Sequence, residues 1–123
     1  MIILLSPAKR QAGYRDGSLL GACGSQTQPV FAAEAAELRR HLARLTQGEL
    51  ASLFSLSEKK AEELYRIYHG EALRRRALDL FRGPAFGALL GEALPESLCG
   101  VAGSSLRILS GLYGLLRPLD MIE

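Results

Sequence analysis

The sequence has little cysteine, no long apolar run and no strong excess of either charge, and each shortage removes a class of protein. Cys23 and Cys99 are the only cysteines, far apart in the chain, with no CxxC and no cysteine–histidine cluster at metal-ligand spacing. A zinc site is therefore not indicated, and both residues are expected as free thiols. The apolar run Ile2 to Leu5 has no basic segment before it and is too short for a signal peptide or a membrane span, so a reducing, cytoplasmic location is expected, with no membrane partner. A formal charge of +2 and a pI near 8.7 permit a nucleic-acid partner without arguing strongly for one. A P-loop, a GxGxxG after the first strand, an HExxH and a plausible serine–histidine–aspartate order are all missing. No catalytic residue, metal ligand or cofactor is assigned on this basis, and a binding protein is favoured over an enzyme.

What is present fits one globular domain of 123 residues, 48% hydrophobic and 23% charged, with no internal repeat or low-complexity tract. Ile2–Leu5 is a short β-branched run ended by Ser6-Pro7, the pattern of a strand buried on both faces. Lys9 to Gln28 carries four glycines and no periodic apolar face, which predicts a surface loop. From Pro29 to about Leu45 the residues Phe31, Ala35, Leu38, Leu42 and Leu45 recur at steps of four and three, predicting a helix with one apolar stripe. His41 falls on its polar side and is expected to be solvated.

Thr46 and Glu49 stand at capping-box spacing and predict a second helix, short because Ser55-Leu-Ser-Glu58 starts another almost at once. That third helix runs to about His69, with Gly70 as its stop. Glu71 to Arg82 is ambiguous; helix to Arg76 and then a buried strand, Leu78–Arg82, is the preferred reading. Short helices follow over Ala85–Leu94 and from Pro95 to Ser104, and Leu106–Ser110 is the last strand. Strands separated by helices predict an α/β fold with a small, mainly parallel sheet covered by helices.

Two strand ends carry polar residues of similar kind. Ser6 and Lys9 follow the first strand, and Ser110, Tyr113 and Arg117 follow the last. Ligands of open parallel sheets bind beyond the carboxyl ends of strands, and this set suits a phosphate or a carboxylate, so that a nucleotide- or phosphate-binding α/β enzyme is the alternative to a DNA-binding protein. The alternative is structural: glycines for close packing and Arg117 as an anchoring ion-pair residue. Arg74-Arg-Arg76 with Arg82 is the densest basic cluster, open to reading as a solvated face or as a phosphate-contact patch.

Two stretches, Ile2-Ile-Leu-Leu-Ser-Pro-Ala-Lys9 and Leu106-Arg-Ile-Leu-Ser-Gly-Leu-Tyr-Gly-Leu-Leu-Arg-Pro-Leu-Asp120, resemble the bacterial YaaA family of peroxide-stress-resistance proteins. Leu80-Phe-Arg-Gly83 resembles a further family segment, although Pro84, Phe86 and Arg10 depart from it. The resemblance spans the whole chain but only about the N-terminal half of the family's usual length. It implies a bacterial cytosolic protein that limits peroxide damage, is tied to iron homeostasis, and binds duplex DNA through a helix-hairpin-helix element. A homo-oligomer, or a second chain supplying the other half, is a further implied partner.

Such a hairpin reads apolar-Gly-apolar-Gly, with an alanine a few residues on. Leu53-Phe-Ser-Leu-Ser57 with Ala61 and Leu64 keeps the spacing, with serines in place of both glycines. Ser55, Ser57, Lys59 and Lys60 are thus the expected phosphate contacts, with Arg74 and Arg75 of the basic cluster as further ones, against the alternative of a simple helical corner.

Overall fold

The computed structural model describes residues 1–8, 10–12, 18, 20, 23–89 and 95–123. Two compact units emerge, one of Met1–Ala32 with Arg74–Glu123 and one of Ala33–Leu73.

In the first unit the two terminal apolar runs meet. Strand β1 (Ile3–Leu5) and a later strand β5 (Leu106–Ser110) pair in parallel, with Ile3 beside Leu106 and Leu5 beside Ile108. The chain then turns through Gly111-Leu-Tyr113 and returns as β6 (Gly114–Leu116), antiparallel to β5, so the order is β1-β5-β6. The α/β class holds, with one parallel and one antiparallel pairing in the sheet. The hairpin is closed by Ser110, whose hydroxyl accepts from the amides of Leu112 and Tyr113 at 3.3 and 3.1 Å.

The expected strand Leu78–Arg82 is not part of this sheet. Arg75–Arg76 is the extended piece (β3), pairing antiparallel with β7 (Met121–Ile122), and Ala77–Leu80 forms one helical turn, α4. Phe81–Arg82 (β4) then pairs antiparallel with β2 (Arg10–Gln11). Ala77 to Leu80 are all buried, so the run has no polar face to reveal a helical period, and a four-residue turn reads like a buried strand. Helices α5 (Pro84–Leu89) and α6 (Glu96–Ser105) follow; residues 90–94 of the expected helix Ala85–Leu94 lie outside the described residues.

Cys23 and Cys99 are joined as a disulfide, with Cα atoms 5.4 Å apart across a sequence separation of 76, which overturns the expectation of free thiols. That proximity is tertiary: the loop carrying Cys23 is drawn in by contacts from Arg76, Asp79, Arg117 and Leu119 that no local pattern shows.

The second unit is helical. Helix α1 (Ala32–Leu42) begins one turn after Pro29, whose carbonyl accepts from the Ala32 amide. Helices α2 (Gln47–Phe54) and α3 (Glu58–Arg66) pack against each other, and a π-helical turn, Ile67–Glu71, ends α3 at Gly70 with φ 107. Ala35, Leu50 and Ala61 are fully buried. Small residues at these points let helices approach closely, and the larger Phe31 and Leu38 of the predicted stripe remain partly open to solvent. Arg39 lies over the Tyr68 ring at 5.4 Å, and Tyr65 stacks on His69 at 3.9 Å. His41 is exposed as expected, 4.0 Å from Glu37.

Candidate functional site

The α2–α3 corner is built by two caps of different kinds. At the start of α2, Thr46 and Glu49 form a full capping box: the Thr46 amide donates to the Glu49 carboxylate at 2.7 Å, and the Glu49 amide donates to the Thr46 hydroxyl at 3.3 Å. The bond from the Thr46 amide foremost, and a second from the Thr46 hydroxyl to the same carboxylate at 2.9 Å, hold the Glu49 carboxyl below the usual carboxylate range. At the end of α2, Ser55 adopts the left-handed conformation, φ 51 and ψ 51, the single non-glycine residue with positive φ among those described. Glycine occupies that region without a Cβ penalty and serine does not, so the sequence places a costly residue where the tight turn requires the geometry.

Ser57 is the N-cap of α3 in extended conformation, and its hydroxyl makes no capping bond. The first helical bond of α3 runs from the Ala61 amide to the Ser57 carbonyl, so the amides of the first turn have no partner within the helix. Lys59 and Lys60 lie in that turn with exposed side chains. Gln47 ties the corner together by donating to the Glu58 carbonyl at 3.3 Å. Positive charge, a helix N-terminus and a tight turn therefore coincide, an arrangement able to receive a phosphate group.

The arginine cluster is divided between roles. Arg74 is exposed, and Arg75 lies in β3 opposite Ile122. Arg76 is turned inward: its guanidinium donates to Asp79 at 3.0 Å, to Ser18 at 2.6 Å and to the Cys23 carbonyl at 3.2 Å. Asp79 is 3% exposed and also accepts from the Leu20 amide. Arg82 donates to the carbonyls of Asp79 and Phe81. Arg76 and Arg82 thus both donate within the chain.

The strand-end residues are also engaged internally. Arg117 donates to Asp120 at 3.1 and 3.0 Å and to the Gln28 carbonyl at 2.7 Å, and Asp120, fully buried, accepts from Thr27 as well. The Tyr113 hydroxyl, on a side chain 8% exposed, accepts from the Glu123 amide at 3.1 Å. Ser110 closes its own hairpin, Ser6 is exposed, and Lys9 lies outside the described residues. Among the described residues no group of three or more histidines, cysteines or carboxylates is placed to hold a metal ion.

What sequence reasoning missed is the repetition of one device. Arg76 with Asp79 and Arg117 with Asp120 are both Arg-x-x-Asp pairs, and each arginine also grips a carbonyl of the segment between Ser18 and Gln28. The equal spacing was the available signal. A buried carboxylate needs a charged partner, so these arginines are structural before they are anything else.

Taken together, a small mixed sheet braced by two arginine–aspartate clamps and a separate helical unit define a mixed α/β protein. The chain belongs to the family described as peroxide stress protein YaaA, whose model matches residues 1–123. Similar proteins include a UPF0246 protein of Rhizorhabdus wittichii, 39% identical over 126 residues, covering 100% of this chain and 48% of that protein. UPF0246 proteins of Burkholderia mallei and Burkholderia multivorans are 36% and 34% identical over 129 residues, again covering 100% of this chain and 48% of theirs. The chain spans about half the length of the curated relatives it matches. Among the described residues no helix is long and apolar enough to cross a membrane.

Proposed function

We propose that this chain serves peroxide-stress protection by binding duplex DNA through the α2–α3 corner, as a helix-hairpin-helix-like element that helps limit iron-dependent oxidative damage in the cytoplasm. The observation that carries the reading is the left-handed Ser55 at a position where the hairpin motif has glycine, directly before a helix start bearing Lys59 and Lys60. Ser55 and Ser57 hydroxyls and the free amides of α3 would donate to one phosphate, and the two lysines would neutralise it and its neighbour. Arg74 and Arg75 are further candidates for backbone contact. Such binding carries no base readout, so it is expected to be independent of sequence.

The test is duplex binding across a salt series by fluorescence anisotropy. Replacing both Lys59 and Lys60 by alanine should weaken binding roughly tenfold and lower the slope of log affinity against log salt by about 2, one unit for each lost phosphate contact. An unchanged slope would remove the corner from the account.

A second reading, as an interaction module, is favoured by one surface. Register places Leu4, Leu109 and Leu115 on one face of the sheet and Leu106, Ile108 and Leu116 on the other. Leu106, Ile108 and Leu116 are 4%, 0% and 0% exposed, with Ile3 of the edge strand on the same face at 45%, whereas Leu4, Leu109 and Leu115 are 58%, 45% and 40% exposed beside the half-buried Arg107. Sheets with parallel pairing and apolar residues on both faces are ordinarily covered on both. We propose that the bare face receives a polypeptide layer equivalent to the half of the relatives that this chain does not span.

A further inference from the structure

We propose that Cys23 and Cys99 form a peroxide-reactive thiol pair, with Cys99 the residue attacked first and the disulfide the product. The chain's two cysteines sit with Cα atoms 5.4 Å apart, although 76 residues separate them in sequence. Their exposures differ: Cys23 is 2% exposed, whereas Cys99 is only partly covered, on a helix none of whose residues is buried. A small oxidant from solvent therefore meets Cys99 first. Cys99 is the fourth residue of α6, where the helix dipole favours a thiolate, while Glu96 in the first turn and the Pro95 carbonyl, 3.6 Å from Sγ, oppose that effect.

The chemistry balances with hydrogen peroxide as the oxidant. The Cys99 thiolate attacks one peroxide oxygen, the O–O bond breaks, and the hydroxide released takes up a proton to become water. The resulting sulfenic acid at Cys99 is then attacked by the Cys23 sulfur. The S–O bond breaks, the S–S bond forms, and the second oxygen leaves as water with the proton of Cys23. Two thiols lose two electrons and one peroxide gains them.

Oxidation fastens two segments. Arg76 holds the Cys23 carbonyl and Arg117 holds that of Gln28, so the loop is anchored on the side of β3 and β7, and the disulfide adds α6 to that anchor. Apart from that bond α6 is thinly packed, with Leu98 and Val101 at 47% and 58% exposure and no buried residue of its own. Reduction would thus leave α6 held only at its junction with β5, where Arg107 donates to the Gly103 carbonyl, while the loop stays clamped.

This inference takes its oxidant from the family description and is independent of DNA binding. The test begins with fully reduced chain, desalted and given stoichiometric hydrogen peroxide, followed by thiol titration and non-reducing mass analysis. Loss of both thiols into an intramolecular disulfide, at least about tenfold faster than in the same chain unfolded in urea, is expected. In Cys23→Ser, dimedone should label Cys99, whereas in Cys99→Ser, Cys23 should remain unlabelled; circular dichroism confirms that both variants are folded. Equal rates in folded and unfolded chain, or a disulfide between two chains, would overturn the pair. Labelling of Cys23 in Cys99→Ser without labelling of Cys99 in Cys23→Ser would overturn the order of attack.

Discussion

Gly114 shows how much one residue of the family-defining stretch does for the fold. Its φ of 69 is left-handed, and a Cβ placed there would lie 2.9 Å from the Phe31 ring. Both the backbone and the space therefore select glycine, and the aromatic ring seals the hairpin between β5 and β6. Gly114→Ala should cost about 1–3 kcal/mol, read as a shift of the urea midpoint. Gly48, in α2 with nothing within 4 Å of a Cβ, is the control: alanine there should be neutral or stabilising by up to about 1 kcal/mol. Equal effects at the two positions would show that the Phe31 contact and the left-handed turn carry no weight. The same scale explains why the roles of the arginines stay open in the sequence. Sequence shows charge and spacing, and it does not show that Arg76 faces Asp79 across a side-chain environment only 14% and 4% exposed.

At the scale of elements, legibility followed from how each one is stabilised. Ile3–Leu5 and Leu106–Ser110 were legible because their apolar runs are bounded by turn residues. The start of α2 was legible because its capping box is local chemistry, whereas α3 starts at Glu58 without a side-chain cap, Ser55 ending α2 instead, and gives way to a π-helical turn after Arg66. Ala77–Leu80 was not legible, since burial on every side erases the period, and β6 was hidden because Gly114-Leu-Leu116 has neither length nor alternation. At the candidate corner, the spacing of Ser55, Ser57, Lys59 and Lys60 was legible, while the left-handed turn at Ser55 needed coordinates. The capping box makes a pH prediction. Glu49 titrates below the usual carboxylate range because the Thr46 amide and hydroxyl bind its charged form. A carboxyl lowered in the folded state contributes stability above its unfolded pKa, and that contribution is lost as pH falls through the lowered value. The Thr46 amide resonance should therefore be steady near neutrality and move only in acid, together with the Glu49 carboxyl, and Glu49→Gln should abolish that transition. A Glu49 carboxyl titrating as in an unstructured peptide would remove the box as a stabilising device.

At the scale of the molecule, the two faces of the sheet pose the last question. One face buries Leu106, Ile108 and Leu116 almost completely and leaves only Ile3 of the edge strand open, and the other presents Leu4, Leu109 and Leu115 at 40% exposure or more around Arg107. An apolar area of that kind on a sheet is a site for a partner layer or a source of self-association. The relatives are about twice as long, which favours the first. The prediction is that the 123-residue chain, mixed with the part of the Rhizorhabdus wittichii relative outside its match to this chain, forms a one-to-one complex in sedimentation velocity. Leu109→Glu with Leu115→Glu should abolish the complex, because two carboxylates would be desolvated against an apolar layer. The same double variant should leave duplex DNA binding by the α2–α3 corner unchanged, since its substitutions lie in the other unit. A homodimer of the chain alone, lost in that variant, would assign the face to a second copy instead, and a wild-type monomer indifferent to the added half would show that the bare face has no polypeptide partner of this kind.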